Sequence, residues 1–527
     1  MIDDRRSPRD WWRGGTIYQI YPRSYQDTNG DGVGDLPGIA ARLDHLVDLG
    51  VDAVWVSPIF PSPMADFGYD VADYRDIHTL FGTLADFDRL LAAAHERGLR
   101  LLLDFVPNHS SCEHPWFRES ASARDGAKRD WYVWRDPKPD GSPPTNWQSW
   151  SGIPAWTFHE PTEQYYLHKF LPEQPDLNWW NPDVRAAMLD NMRFWLERGI
   201  DGFRVDVLNH TIEDREFRDD PPNPDYRADR DPPFRANLQL HSSNRPEVME
   251  LVVEPMRRLA DEYGALLVGE TYEPFADLVR YYGTNGSGVQ LPFNFSLVLL
   301  DDWRAETIAG LVRDYERALP ADGWPNWVTG NHDQSRIATK VGPARARAAM
   351  MLLLTLRGTP TIYQGEEIGM EDVAIPTDAV RDPWELNMPG LGEGRDPCRT
   401  PMRWDASPGQ GFTQADAEPW LPFGPPSPNV SEQRDDPASM LSLTRDLLRV
   451  RRAHEALSVG AIRDVRAEGD LLRYVREGGG ERFAVAINLG DSTLQRPGGE
   501  IVLSTHGLAR HGAGDTLRPG EGVILRA

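Results

Sequence analysis

Eight short apolar runs, each leading into a stretch of helical character, constrain this chain more than any other feature of its sequence. In order they are Thr16 to Tyr21, Val51 to Ser57, Leu99 to Val106, Gly202 to Val207, Leu266 to Glu270, Val289 to Phe293, Trp327 to Asn331 and Thr361 to Gln364. Most neighbours are separated by apolar residues at helical spacing, as in Ile39 to Leu49, Leu84 to Arg97 and Val184 to Arg198. Strands alternating with helices imply a parallel sheet with right-handed crossovers. Eight such units are what a closed (β/α)8 TIM barrel needs. An open doubly wound sheet is the alternative, but it would carry a Gly-rich phosphate loop after its first strand, and the sequence has none.

Two interruptions break the alternation. Residues 108–174 are rich in Trp and Pro and short of helical pattern, too long for a plain loop, and read as a small inserted domain. Residues 371–437, dense in Pro, Gly and Asp, read as a second excursion over the same barrel face. A helix from Ser439 to Arg452 then closes the barrel, and short alternating runs beyond Leu457 predict a small antiparallel β domain. The expected division is therefore 1–107 with 175–456 as the barrel, 108–174 as the insert, and 457–527 as the C-terminal domain.

Composition narrows the partners. A net charge of −25 repels nucleic acid and anionic lipid, which leaves a neutral substrate as the better fit. The two cysteines, Cys112 and Cys398, are far apart and suggest neither a disulfide framework nor a zinc site. Met1 to Arg6 lead into polar sequence without an apolar leader, and no run is long enough to span a membrane, so the expected location is the cytoplasm. A monomer or homodimer is expected.

In a barrel of this kind, polar residues at the C-terminal strand ends converge on one site. The third run ends Asp104-Phe-Val-Pro-Asn108-His109, the fourth contains Arg204-Val-Asp206, the fifth ends at Glu270, and the seventh ends Asn331-His332-Asp333. Carboxylates gathered on one rim are costly without a reason. Glycoside cleavage supplies one, since it needs a nucleophilic or basic carboxylate and a protonated acid around an oxocarbenium-like transition state.

These segments resemble the four signature regions of the α-amylase family of glycoside hydrolases. Gln174-Pro-Asp-Leu-Asn178 resembles a fifth region seen in its oligo-1,6-glucosidase-like members. The likeness runs from Tyr18-Gln-Ile-Tyr-Pro22 to Arg399-Thr-Pro-Met-Arg-Trp404. It implies Asp206 as nucleophile, Glu270 as general acid and then base, and Asp333 as the third carboxylate, which holds sugar hydroxyls. Arg204 would keep Asp206 ionised, His109 and His332 would bind glucose hydroxyls, and Tyr69 would stack beneath the ring. Asp66 and Arg399 resemble the pair that closes the pocket around the non-reducing end, and Phe170 joins the substrate-binding set. The implied activity is a retaining, exo-acting α-glucosidase on short α-glucosides, with some transglucosylation. Val207, following the nucleophile, resembles relatives that cleave α-1,6 bonds. A sucrose isomerase or trehalose-forming transglucosidase is the alternative, and a non-catalytic sugar-binding subunit is disfavoured by the complete acidic trio.

A second constellation, Asp27-Thr-Asn29-Gly-Asp31-Gly-Val33-Gly-Asp35, places side-chain oxygens at alternate positions. It begins like an EF-hand loop, yet Gly38 stands where a bidentate Glu would end one. The family resemblance implies a structural calcium ion on Asp27, Asn29, Asp31, the Val33 carbonyl and Asp35, with magnesium as a substitute.

Overall fold

The computed structural model describes residues 10–506 and 514–526. The leader-free reading of Met1 to Arg6 and part of the C-terminal segment therefore lie outside the described residues. The eight runs become eight parallel strands: β1 (Ile17–Ile20), β2 (Ala53–Val56), β3 (Arg100–Phe105), β4 (Gly202–Val205), β5 (Leu266–Glu270), β6 (Leu291–Phe293), β7 (Asn326–Val328) and β8 (Thr359–Tyr363). Hydrogen bonds join them in the order β7-β8-β1-β2-β3-β4-β5-β6. β6 and β7 pack side by side without a ladder, which completes the (β/α)8 barrel.

Strand periodicity explains both the core and the rim. Side chains alternate across a strand, so every second residue faces the barrel axis. Ile17, Ala53, Trp55, Leu102, Leu266, Val268, Leu291 and Phe293 share one apolar cluster inside the barrel. Two residues further along the same rows stand Asp104 after Leu102 and Glu270 after Val268. The register pairs Asp104 with Arg204 across β3 and β4. The inner face thus changes from apolar to charged at the C-terminal ends.

The other strand faces pack on helices. Leu84–Glu96 opens with a Thr83–Asp86 capping box and buries Phe87, Leu90, Leu91 and Ala94. Pro182–Arg198 starts on an Asn181 cap with Pro at its first turn and stops at Gly199, whose φ of 102° is the left-handed conformation that suits glycine. The helix read as Ile39 to Leu49 is two, Leu36–Ala41 and Leu43–Leu49, broken at Arg42.

Residues 108–174 hold one helix, Pro115–Ser122, and a three-stranded antiparallel sheet of Trp134–Arg135, Trp156–His159 and Gln164–Leu167. Residues 371–437 carry only short helical turns. A third excursion, 206–248, follows β4 and escapes the sequence pattern, because its Pro, Asp and Asn leave no periodicity to detect. Beyond the barrel a five-stranded antiparallel sheet forms the C-terminal domain.

Two glycines test the packing with opposite signs. A Cβ on Gly202 would lie 2.2 Å from the Leu266 carbonyl oxygen, so Gly202→Ala should lower stability by about 1–3 kcal/mol. Gly310 sits within the helix Ala305–Ala318, where a Cβ meets only Arg313 at 4.0 Å. Gly310→Ala should raise stability by about 0.5–1 kcal/mol. Denaturant unfolding of both variants checks the pair; equal shifts would contradict it.

Candidate active site

Arg204 is the centre of the rim. Its side chain is fully buried between three carboxylates. Nη1 donates to both Asp104 oxygens at 2.9 and 3.1 Å and to Asp206 Oδ1 at 2.5 Å, while Nη2 lies 2.6 Å from Glu270 Oε2. That Glu270 oxygen also accepts the Val207 amide at 2.9 Å. The amide reaches it because Val207 adopts φ 35°, a left-handed conformation costly for a β-branched residue.

Burial raises Asp206, Glu270 and Asp104 above ordinary carboxylates, Asp104 to about 6, and Arg204 pulls each one down. At Asp206 the upward push of desolvation outweighs the downward pull of Arg204. Asp206 and Glu270 also act on each other, Glu270 raising Asp206, so their titrations are linked. Asp333 differs. Arg399 Nη2 at 2.7 Å, Arg395 Nη1 at 3.5 Å and His332 at 3.3 Å surround it and hold it below the usual carboxylate range despite burial. One environment therefore holds Asp333 low beside a pair of raised carboxyls.

The trio opens into a cavity of about 760 Å³ lined also by Asp66, Tyr69, His109, Phe170 and Gln174. Arg204, His332 and Arg399 stand behind that wall. His332 is stacked between Tyr21 and Tyr69, and its two ring nitrogens lie 2.7 Å from Gln19 Nε2 and 2.7 Å from the Tyr69 hydroxyl. Burial lowers His332 far below its ordinary pKa and His109 to about 3, so both are neutral, His109 at the wall of the cavity and His332 behind it. Neutral imidazoles can both donate and accept, which suits hydroxyl groups.

Asp66 and Arg399, the two residues expected to close the pocket around the non-reducing end, each hold a different partner. Asp66 Oδ1 meets Arg395 Nη2 at 2.7 Å, and Arg395 is gripped in turn by Asp382 at 2.7 Å. Arg399 is committed to Asp333 and to the His332 carbonyl at 2.7 Å. The two arginines are four residues apart in one run, and spacing alone could not tell which faces Asp66. Gln174 Nε2 closes the same end, 3.3 Å from Asp66 and 3.0 Å from His109. Phe170 is held beside His109 because the preceding Lys169, buried, lies 3.4 Å from both Asp176 and Glu213. The sequence assigns no role to Arg395, to Asp104 or to Tyr272, which lines the cavity; Asp104 and Tyr272 are within its reach, as Asp104 is in register with Arg204 and Tyr272 lies two residues from Glu270.

The 27–35 loop is held by its own amides. Asp27 accepts from Asn29, Gly30 and Gly32, Asp31 from Val33, and Asp35 from Thr28 and Gly38. The donor set is all oxygen, as a hard cation prefers. Among the described residues, however, no three His, Cys, Asp or Glu side chains are gathered closely enough to hold a metal ion.

The family model described as the alpha amylase catalytic domain matches residues 19–460. A "Probable alpha-glucosidase" of Rhizobium meliloti (strain 1021) is 45% identical over 504 residues, covering 93% of this chain and 91% of its own. The oligo-1,6-glucosidase of Parageobacillus thermoglucosidasius is 38% identical over 92% of this chain and 91% of its own. Among solved structures, the α-glucosyl transfer enzyme XgtA superposes with a TM-score of 0.91 at 41% identity, over 99% of this chain and 100% of that one. A trehalulose synthase follows with a TM-score of 0.88 at 32% identity, over 98% and 100%.

Arg204→Met would leave Asp104, Asp206 and Glu270 buried without their shared cation. Breaking a buried pair in this way costs about 3–5 kcal/mol. The carboxylates can escape by taking up protons, because removing the cation raises their pKa values further. The stability deficit should therefore be large at pH 8 and shrink towards pH 5. Urea unfolding of both proteins at the two pH values measures it, and a deficit independent of pH would contradict the arrangement.

Proposed function

The chain belongs to the α-amylase family of glycoside hydrolases, and from that premise we propose that it is a retaining, exo-acting α-glucosidase removing terminal glucose from short α-glucosides. The observation that carries this reading is the closed polar end of the cavity. Asp66, Arg395, Gln174 and His109 bar the chain from continuing past the glucose held beside Asp206, Glu270 and Asp333. An enzyme cutting within long chains needs that end open.

In this reading Glu270, raised by burial, carries a proton when substrate arrives. Glu270 gives it to the leaving oxygen as Asp206 forms a bond to the anomeric carbon, and Arg204 supports the charges that shift between them. Glu270 then takes a proton from water, whose oxygen displaces Asp206. Asp333, kept ionised by Arg395 and Arg399, stabilises positive charge developing on the ring. A sugar acting in place of water gives transglucosylation, which the likeness to an α-glucosyl transfer enzyme supports. The relatives named α-glucosidase match at higher identity than the trehalulose synthase, so hydrolysis is preferred over sucrose isomerisation. Val207 on the cavity wall and a relative named oligo-1,6-glucosidase support acceptance of α-1,6 links. Both cysteines are free, as in a reducing compartment, and the reading includes action in the cytoplasm, as a monomer or homodimer.

The 27–35 loop is proposed as the seat of a structural calcium ion, with magnesium able to replace it. Its all-oxygen donors support this, and Val33 would offer its carbonyl. Chelation should lower the unfolding midpoint and added calcium should restore it, with about 2.7 kcal/mol gained at a hundredfold excess over Kd. A midpoint indifferent to both removes the ion from the account.

Early NMR of maltose and isomaltose digests should show α-glucose from both, with soluble starch nearly untouched. Glu270→Ala should lose at least a thousandfold on maltose and, with azide and α-glucosyl fluoride, form α-glucosyl azide. Asp206→Ala should form the β-azide. Initial β-glucose, or exchanged azide configurations, would contradict the assignment.

A further inference from the structure

The connection after β2 carries Asp66 and Tyr69 to the wall of the cavity, and its backbone takes a costly path to get there. Met64 at φ 69° and Phe67 at φ 48° both lie in the left-handed region, which bulky side chains enter only when their surroundings compel it. Gly68 follows at φ 113°.

One side chain at the end of this loop is wrapped by the rest of it. Asp70 is fully buried. Its Oδ1 accepts from Ser62 Oγ at 2.7 Å and from the Asp66 amide at 3.0 Å, and its Oδ2 accepts from the Ala65 amide at 2.9 Å. Ser62 Oγ accepts in turn from the Met64 amide at 2.9 Å. Among the described residues Asp70 forms no ion pair, and burial pushes it up to about 6 although the three hydrogen bonds pull the other way. The titratable groups acting on it are Asp66 on the same loop and the Cys112 thiol on the connection after β3, and neither favours its charge. A buried carboxylate without a cation is expensive, and here only the three loop donors offset that cost.

We propose that Asp70 is a positioning residue for the glucose site, its carboxylate holding the 62–70 loop in the shape that presents Asp66 to Arg395 and to the non-reducing end of the substrate. This rests on the α-glucosidase reading above and adds the group that builds the closed end. Three donors around two oxygens suit a carboxylate. An amide could serve Ser62 and Asp66 with its oxygen, but its nitrogen would face the Ala65 N–H, donor against donor. A protonated carboxyl loses an acceptor in the same way. Tyr69 has separate anchors, since its hydroxyl lies 2.7 Å from His332 and 3.1 Å from Asp104. The consequence of loosening the loop therefore falls on Asp66, whose Oδ1 must stay 2.7 Å from Arg395 Nη2.

The test measures KM for maltose in Asp70→Asn, Asp66→Asn and the double variant at pH 8 and pH 5, because KM does not depend on how much of a preparation folds. At pH 8 Asp70→Asn should raise KM about tenfold, as an unsatisfied donor depopulates the competent loop. In the Asp66→Asn background the same change should matter by less than about twofold, because Asp70 acts through Asp66. At pH 5 the native carboxyl is itself largely protonated, so the ratio of Asp70→Asn to wild-type KM should fall towards one; groups common to both proteins cancel from that ratio. Ser62→Ala removes one donor and should raise KM about threefold with the same dependence on Asp66, which supplies the reading if Asp70→Asn does not fold. Effects that multiply in the double variant, a ratio unchanged between the two pH values, or an unaltered KM at pH 8 each overturn the proposal and leave the glucosidase reading intact. Maltose untouched by the wild-type enzyme defeats the underlying reading instead.

Discussion

The structure depends on one buried cation. Arg204 contacts Asp104, Asp206 and Glu270 at once, from inside a barrel whose next layer down is Trp55, Leu102 and Val268. Removing water from four ionisable groups is expensive, and only close pairing makes it tolerable. The pairing has a chemical consequence as well as a structural one. It ties the proton balance of Asp206 to that of Glu270. Val207 contributes through its main chain, accepting a strained φ so that its amide can fix Glu270.

A second arginine cluster completes the site from outside the barrel. The run 382–399 brings Asp382, Arg395 and Arg399 over the rim, where they hold Asp66 on one side and Asp333 on the other. The polar end of the cavity therefore belongs to irregular segments after β2, β3 and β8 and to no strand. Such segments carry function because their shape is set by specific side-chain contacts on a rigid frame.

Much of this was legible in the sequence, and the reasons are physical. Fully buried parallel strands read as short apolar runs, so all eight were found with small errors at their ends. Their last residues alternate into the barrel, which places Arg204, Asp206 and Glu270 on one rim from the sequence alone. What escaped were contacts between distant irregular segments. The choice of Arg395 over Arg399 for Asp66 turns on how a run without periodicity curls, and no local rule decides that. The 206–248 connection was missed for the same reason. The effect of burial on Asp206 was also invisible, because a nearby arginine is apparent in sequence and the loss of solvent is not.

The central claim is that Asp206 attacks the anomeric carbon while Glu270 manages the proton. Trapping with 5-fluoro-α-glucosyl fluoride followed by peptide mass spectrometry tests it most directly. The account predicts a glycosylated peptide whose modified residue is Asp206, formed with loss of activity and lost again on reactivation. Label on Glu270 or Asp333, or inactivation without any label, would contradict it.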